Sequence, residues 1–299
     1  MKIAISGSGG LVGSALSEAL QRDGHSVNRL VRRAPTAPEQ EIFYDAAAAR
    51  IERQKLEGLD ALVHLAGENI ADGSWSSTRK QRIRSSRIDS TRLIAKALSD
   101  LDRPPSTLIQ ASAIGFYGDR GDEKLDESSP AGTGFLADLC RDWEAAAEPA
   151  QDAGIRVIWF RIGVVLAPHG GALPRMLRLF KLGLGGKLGR GRQFMSWIAL
   201  HDLVRLIVFS LNHPDFAGPV NAVAPTPVRN EEFTRVLAGV LHRPAFMTAP
   251  AVALKLALGE MADEMLLASA RIYPRRAEQA GFRFNHPDLE SALRAELSL

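Results

Sequence analysis

Gly7-Ser8-Gly9-Gly10-Leu11-Val12-Gly13 follows directly on Lys2-Ile-Ala-Ile-Ser6, and no other feature limits the fold of this chain as strongly. The preceding run reads as a short buried strand. Ala15, Leu16, Ala19 and Leu20 then recur at helical spacing, so the glycines occupy a strand-to-helix turn. Such a turn is built to hold a phosphate. Gly7 permits the tight turn and Gly10 lets the backbone approach a pyrophosphate. Gly13 lets the helix pack on the strand while the N–H groups of Leu11, Val12 and Gly13 face the anion. Without a ligand, the same glycines would simply join a strand to a helix.

A second strand-like run, Ser26-Val-Asn-Arg-Leu-Val31, follows Asp23-Gly24 and completes the first βαβ unit. Sites that prefer NAD place an acidic residue near the end of this strand, where it bonds the ribose 2′-hydroxyl. Here the segment ends Arg32-Arg33. Guanidinium groups suit a 2′-phosphate, which points to NADP(H) held through Arg32. The alternative is a pair of solvated charges.

At 299 residues, with 45% hydrophobic and 24% charged content, the chain can bury a sizeable core. No apolar run reaches the ~18 residues that span a bilayer, and the N-terminus lacks a secretory pattern. The single cysteine, Cys140, excludes an intrachain disulfide and a cysteine zinc site, which fits a cytoplasmic location. The seven histidines are scattered, so no metal is expected. Arg79, Lys80, Arg82, Arg84, Arg87 and Arg92 cluster on one helix with Ile83, Ile94 and Leu98 as its buried side. There is no aromatic interleaving for base stacking. The expected partner is therefore a small-molecule substrate, with neither nucleic acid nor membrane, and the oligomeric state is left open.

Strand-like runs at Asp60–Leu65, Ser106–Ser112, Val157–Ile162 and Pro219–Val223 alternate with helical stretches, including Ser85–Ser99 and Phe135–Ala153. The pattern implies an α/β fold, a doubly wound Rossmann-type parallel sheet with a smaller C-terminal substrate lobe. Ligands of such sheets sit at the carboxyl ends of the strands, which selects Ala66-Gly67-Glu68-Asn69, Ser112–Gly118 and Arg161–Val165. Residues 1–224 read as the NAD(P)-binding domain and 225–299 as the lobe, with 168–192 contributing to it. In the lobe, Asn230 reads as a helix cap, Ala251–Ala270 as one helical run, and Asn285–Leu289 as the opening of a terminal helix.

Several segments carry a family resemblance: the glycine loop with its G-x-x-G-x-x-G spacing, His64-Leu-Ala-Gly-Glu-Asn-Ile70, Ser112-Ala-Ile-Gly-Phe-Tyr-Gly118, Arg161-Ile-Gly-Val-Val-Leu166, Met195-Ser-Trp-Ile198 and Val220-Asn-Ala-Val-Ala-Pro225. Together they resemble the extended and atypical branch of the short-chain dehydrogenase/reductases. Within it they are most similar to the epimerase-like subfamily with its own C-terminal domain, the group related to human SDR family member 39U1. The resemblance implies NADP(H) bound at the N-terminal domain and a substrate cleft roofed by the lobe. By that likeness Gly7, Gly10 and Gly13 line the pyrophosphate, and Arg32 takes the 2′-phosphate. Leu65, Ala66 and Gly67 lie on the adenine-ribose side, and Arg161 stands at a strand end facing the cofactor. Glu68 is a base or bonds a ribose hydroxyl. Arg87 stands where many relatives place an active-site asparagine, and contacts the cofactor or faces solvent.

Most members of that family carry Tyr-x-x-x-Lys, in which the lysine lowers the tyrosine pKa and the phenolate moves a proton during hydride transfer. Registered on Glu144, this chain has Leu136 at the tyrosine position and Cys140 at the lysine position. Cys140 reads as a buried core thiol. The catalytic candidates are then Ser112, near where relatives bond a substrate carbonyl, and Tyr117, either a proton donor or a packed ring. The expected activity is an NADP-dependent oxidoreductase or epimerase acting on a small polar or sugar-nucleotide substrate. The alternative is a catalytically silent NADP(H)-binding sensor.

Overall fold

Alternation along β1 (Lys2–Ser6) puts Ile3 and Ile5 on one face of a sheet and Ala4 on the other, all fully buried in a computed structural model that describes residues 1–299. After α1 (Leu11–Arg22), β2 (Ser26–Val31) and β3 (Glu41–Asp45) continue the sheet, and β4 (Arg50–Ile51) closes its edge. Next come β5 (Ala61–His64), α2 (Ser77–Ser99), β6 (Thr107–Ala113), the short β7 (Lys124–Leu125), α3 (Phe135–Ala145), α4 (Glu148–Asp152) and β8 (Arg156–Ile162). The chain then forms β9 (Val164–Leu166), α5 (Leu173–Lys181), β10 (Gly186–Leu188), β11 (Phe194–Met195), β12 (Trp197–Ala199), α6 (Leu200–Leu211) and β13 (Gly218–Ala222). It ends with β14 (Val228–Arg229), α7 (Asn230–Leu241), β15 (Met247–Ala249), α8 (Ala251–Leu258), β16 (Arg271–Ile272), α9 (Arg275–Gln279) and α10 (Leu289–Leu297).

The main sheet runs β13-β8-β6-β5-β1-β2-β3-β4, parallel throughout except at the β3–β4 edge. One face packs Leu16 and Leu20 of α1 and Leu203, Leu206 and Ile207 of α6 against Ile3, Ile5, Val63, Ile109 and Ile158. The other packs Ile94 and Leu98 of α2 and Ala150 of α4 against Ala4, Leu62, Leu108 and Val157. Helices on both faces make the sheet doubly wound, as the residue pattern implied. Strand β1 has β2 on one side and β5 on the other, so the crossovers leave it in opposite directions and a crevice opens at the carboxyl ends of β1 and β5.

A third core joins Leu173, Leu177 and Phe180 of α5 and Trp197 to Phe233 and Leu237 of α7 and Leu293 of α10. Residues before and after position 224 thus share one hydrophobic core.

Four local readings are corrected. Strand β3 was not expected, yet Ile42 and Tyr44 are buried in it. The run Phe135–Ala153 is two helices, because Pro149 at the start of α4 lacks the N–H that would continue α3. The run Ala251–Ala270 breaks at Gly259 (φ +58°), turns through a π-helical segment at Ala262–Leu267 and enters β16. Asn230 is not a cap: its Oδ1 accepts from Leu188 N at 2.8 Å, and Arg229 stands at the cap position. The terminal helix does open as read, with Asp288 accepting from Ser291 N at 2.9 Å.

Candidate cofactor and substrate site

The glycine loop closes on itself at the end of β1. Gly7 is left-handed (φ +71°), and a Cβ there would stand 2.9 Å from Ala66 N. A Cβ on Gly13 would stand 2.2 Å from Gly7 O, so neither position admits a side chain. Gly10 N donates to Gly7 O at 2.9 Å, and no side chain caps the first turn of α1. The N–H groups of Leu11, Val12 and Gly13 are left for an anion. A Cβ on Gly170 would stand 2.9 Å from Leu11 Cδ1, which places the loop after β9 against the start of α1.

Beneath this loop lies a buried polar chain that the sequence did not reveal. Ser6 Oγ lies 2.5 Å from His64 Nδ1 and accepts from Ala66 N at 3.3 Å, while His64 Nε2 lies 3.0 Å from Ser90 Oγ. Burial, reinforced by Arg87, lowers the His64 pKa to about 4, so the imidazole is neutral. The chain ties β1, β5 and α2 together.

At the end of β2 the two arginines separate. Arg33 donates to both oxygens of Glu41, at 3.0 and 2.6 Å, and Arg29 approaches the same carboxylate at 3.1 Å. Glu41 is fully buried in β3, and its bonds from Arg33 first of all hold its pKa down to about 2. Arg33 is therefore committed to the fold. Arg32 is exposed beside it, with no carboxylate within the 4.0 Å that defines an ion pair.

Past β5 the backbone runs through Leu65, Ala66, Gly67 and Glu68. Glu68 is ion-paired with Arg79 and lies 3.6 Å from Arg82, while its N–H donates to Ser86 Oγ at 3.1 Å. That pairing fixes the carboxylate to α2. Arg87, from the same helix, lays its guanidinium over Gly67, where a Cβ would stand 3.1 Å from Arg87 Cζ. The guanidinium lies 5.1 Å from the Trp143 ring, beside Cys140, and has no ion-pair partner. Burial lowers its pKa to about 10, and it remains a cation.

The end of β6 carries a second buried network. Ser112 Oγ donates to Glu144 Oε1 at 2.6 Å, and Arg161 grips the same carboxylate through Nε and Nη2, each at 2.9 Å. Arg161 Nη1 donates to Tyr117 Oη at 3.0 Å, and Tyr117 donates in turn to Asn221 Oδ1 at 2.7 Å. The Arg161 guanidinium sits 3.4 Å from the centre of the Phe116 ring. Leu136 packs against Gly115, and burial pushes the Cys140 thiol up to about 12, so no thiolate forms.

Two expectations change here. Tyr117 is fully buried, its hydroxyl is held on both sides, and burial pushes its pKa up to about 12, a geometry that matches the packed ring of the two readings. Arg161 is 4% exposed and spends three of its five N–H groups on Glu144 and Tyr117, so its main contacts are inside the protein. The structure brings Gly7, Gly10, Leu11, Val12, Gly13, Leu65, Ala66, Gly67 and Arg87 together around the crevice. Ser112 meets this group through Cys140.

Helix α5 and the segment after α8 meet the loop after β5, α2 and α3 at three points. Arg175 on α5 pairs with Asp72 at 2.9 Å, Glu260 pairs with Lys80, and Glu264 accepts from Phe135 N and Leu136 N, each at 2.7 Å. The last contact caps α3 from 128 residues away.

Residues 3–223 match the model of the NAD dependent epimerase/dehydratase family, and residues 249–296 match a domain of unknown function, DUF1731. An epimerase family protein of Mycobacterium bovis, Mb2239, is 47% identical over 291 residues, which is 97% of this chain and 96% of that one. The crystal structure of human epimerase family protein SDR39U1 (isoform 2) with NADPH superposes with a TM-score of 0.91 at 33% identity, covering 100% of both chains. A nucleoside-diphosphate sugar epimerase from Corynebacterium glutamicum superposes with a TM-score of 0.83 at 40% identity, covering 99% of this chain and 58% of that one.

Proposed function

The chain belongs to the NAD dependent epimerase/dehydratase family, and on that premise we propose that it is an NADP(H)-dependent oxidoreductase or epimerase working without a Tyr-x-x-x-Lys pair. Its substrate in this reading is a small polar molecule or a sugar nucleotide. One observation carries the proposal: the guanidinium of Arg87 lies over Gly67 and beside Cys140, the lysine position, with no carboxylate to neutralise it. Arg87 Nη1 donates to Ile83 O at 3.3 Å and to Ser86 Oγ at 3.4 Å, but a partly buried cation without a counter-ion is costly unless something anionic or a further acceptor completes it. A cofactor ribose or phosphate does so.

The rest of the crevice fits NADP(H). Gly7 and Gly13 have no room for a Cβ, so the backbone is free to approach a pyrophosphate beside Gly10, with the N–H groups of Leu11, Val12 and Gly13 as donors. Arg32, unpaired beside the committed Arg33, takes the 2′-phosphate. Leu65 and Ala66 line the adenine-ribose side, and Glu68, held by Arg79, orients a ribose hydroxyl. NADPH, when bound, supplies the hydride. Ser112 is assigned to substrate positioning: its own proton is given to Glu144, which leaves its oxygen as an acceptor. In this reading residues 1–224 hold the cofactor, and 225–299 with 168–192 roof the substrate.

The inward commitment of Ser112 and Tyr117 also favours a second reading, an NADP(H)-binding sensor without turnover. Incubation with NADPH and a panel of aldehydes, ketones and sugar nucleotides, followed at 340 nm, separates the two. Substrate-dependent NADPH oxidation that falls in Ser112→Ala supports the enzyme. Silence across the panel, with NADPH binding intact and no epimerised product from the sugar nucleotides after incubation with NADP, supports the sensor.

A further inference from the structure

Segments 167–192 and 241–259 contain no aspartate or glutamate, yet hold six and two lysines or arginines respectively. The fold joins them on one surface. Strand β10 pairs with β15 from Gly186↔Met247 to Leu188↔Ala249, and Leu184 N donates to Leu179 O at 2.9 Å, which folds the end of α5 back toward that pair. On this surface Leu179, Leu182, Leu184, Phe246, Val252 and Leu256 are exposed, Phe246 at 90% and Leu256 at 84%. Helix α8, Ala-Val-Ala-Leu-Lys-Leu-Ala-Leu, buries none of its residues. Soluble monomers rarely leave so much contiguous apolar surface in water.

Charge selects the occupant. Arg178, Lys181 and Arg243 flank the apolar residues in sequence, are exposed, and have no carboxylate within 4.0 Å. A second copy seated on this face about a two-fold axis would bring two sets of these cations into one interface. Phe246 and Leu256 project into solvent, at 90% and 84% exposure, which suits a soft apolar phase better than a rigid pocket. We propose that this face seats on a bilayer surface carrying anionic headgroups, with α8 and the Phe246 turn in the interfacial layer and the cations on the phosphates. No helix is long and apolar enough to cross a membrane, and none is needed to lie on one. The proposal reverses the sequence-based expectation of no membrane partner, which rested on the lack of a spanning run and of a secretory pattern.

The test is cosedimentation of the full chain with vesicles of phosphatidylcholine alone or mixed with phosphatidylglycerol, at low and high salt. Pelleting is expected with the anionic vesicles only, and lost at high salt. Lys181→Gln with Arg243→Gln should weaken partitioning about 25-fold, roughly fivefold per cation. Phe246→Ser with Leu256→Ser should weaken it roughly tenfold or more. Unchanged melting temperatures establish that the variants fold. If the apolar pair melts early, the two glutamine substitutions decide alone. Failure to bind anionic vesicles, equal binding to neutral ones, or indifference to the glutamine pair overturns the proposal. So does a dimer in sedimentation equilibrium that Phe246→Ser dissolves, which would assign the face to a second copy.

Discussion

The guanidinium of Arg87 stands 3.1 Å from the point that a Cβ on Gly67 would occupy, so the cation and the β5 turn share one space. Arg87→Ala removes the cation and should weaken NADPH about tenfold to a hundredfold, since a charged hydrogen bond is worth about 1.5–3 kcal/mol. Arg87→Lys should recover part of that loss. Gly67→Ala should weaken NADPH less, because the arginine end has to yield by only a few tenths of an ångström. Fluorescence titration with NADPH measures all three, and unchanged affinity in Arg87→Ala would remove the observation on which the proposed function rests.

Arg32 and Arg33 make opposite predictions although they are adjacent. Arg32→Ala should weaken NADPH by roughly tenfold or more and leave NADH nearly unchanged, because only NADPH presents the 2′-phosphate. Arg33→Ala should leave the preference between the two cofactors in place and lower the melting temperature, because Glu41 loses its main partner inside the sheet edge. Equal weakening of both cofactors in Arg32→Ala would sink the assignment.

How far the sequence carried depended on the range of the interactions. Lys2–Ser6, the glycine loop and Ser26–Val31 were legible because alternation, helical spacing and glycine placement are local signals. Strand β3 was not, since a buried Glu41 opens it, and Arg29, Arg33 and the N–H groups of Thr36 and Ala37 make that acid tolerable there. Tyr117 looked like a site residue in its Phe-Tyr-Gly turn, but Asn221, 104 residues later, decides its burial and its bonds. The trans-cap of α3 by Glu264 has no local signature either. Gly259 did carry one, a helix stop inside an alanine- and leucine-rich run, and the apolar composition masked it.

Glu144 and Arg161 form a buried pair whose partners are not interchangeable. Glu144→Gln should cost about 3–5 kcal/mol, because the Arg161 charge is left in the interior with its counter-ion gone. Tyr117→Phe should cost about 1–3 kcal/mol, by depriving Arg161 and Asn221 of one hydrogen-bond partner each. Denaturant unfolding gives both values. Any loss of turnover in Tyr117→Phe should track the folded fraction, and a stable, fully folded Tyr117→Phe without activity would restore the tyrosine as a proton donor.

His64 makes the fold sensitive to acid in a defined window. Its pKa is lowered to about 4 in the folded protein, against about 6.5 in an unfolded chain. Above the unfolded value the imidazole is neutral in both states and contributes no pH dependence. As the pH falls from about 6.5 toward about 4, the unfolded chain takes up a proton that the native state refuses, so stability drops by up to about 3 kcal/mol. Glu41, held down to about 2, works in the next window: its stabilisation is present above about 4.5 and is lost as the pH falls toward about 2. Urea midpoints measured from pH 8 to pH 3 should therefore decline in two stages. His64→Asn should start lower, for loss of the Ser6 and Ser90 contacts, and should run flat between about pH 6.5 and 4.5 while keeping the lower stage. A His64→Asn profile parallel to that of the native chain would mean that the upper stage belongs to another group.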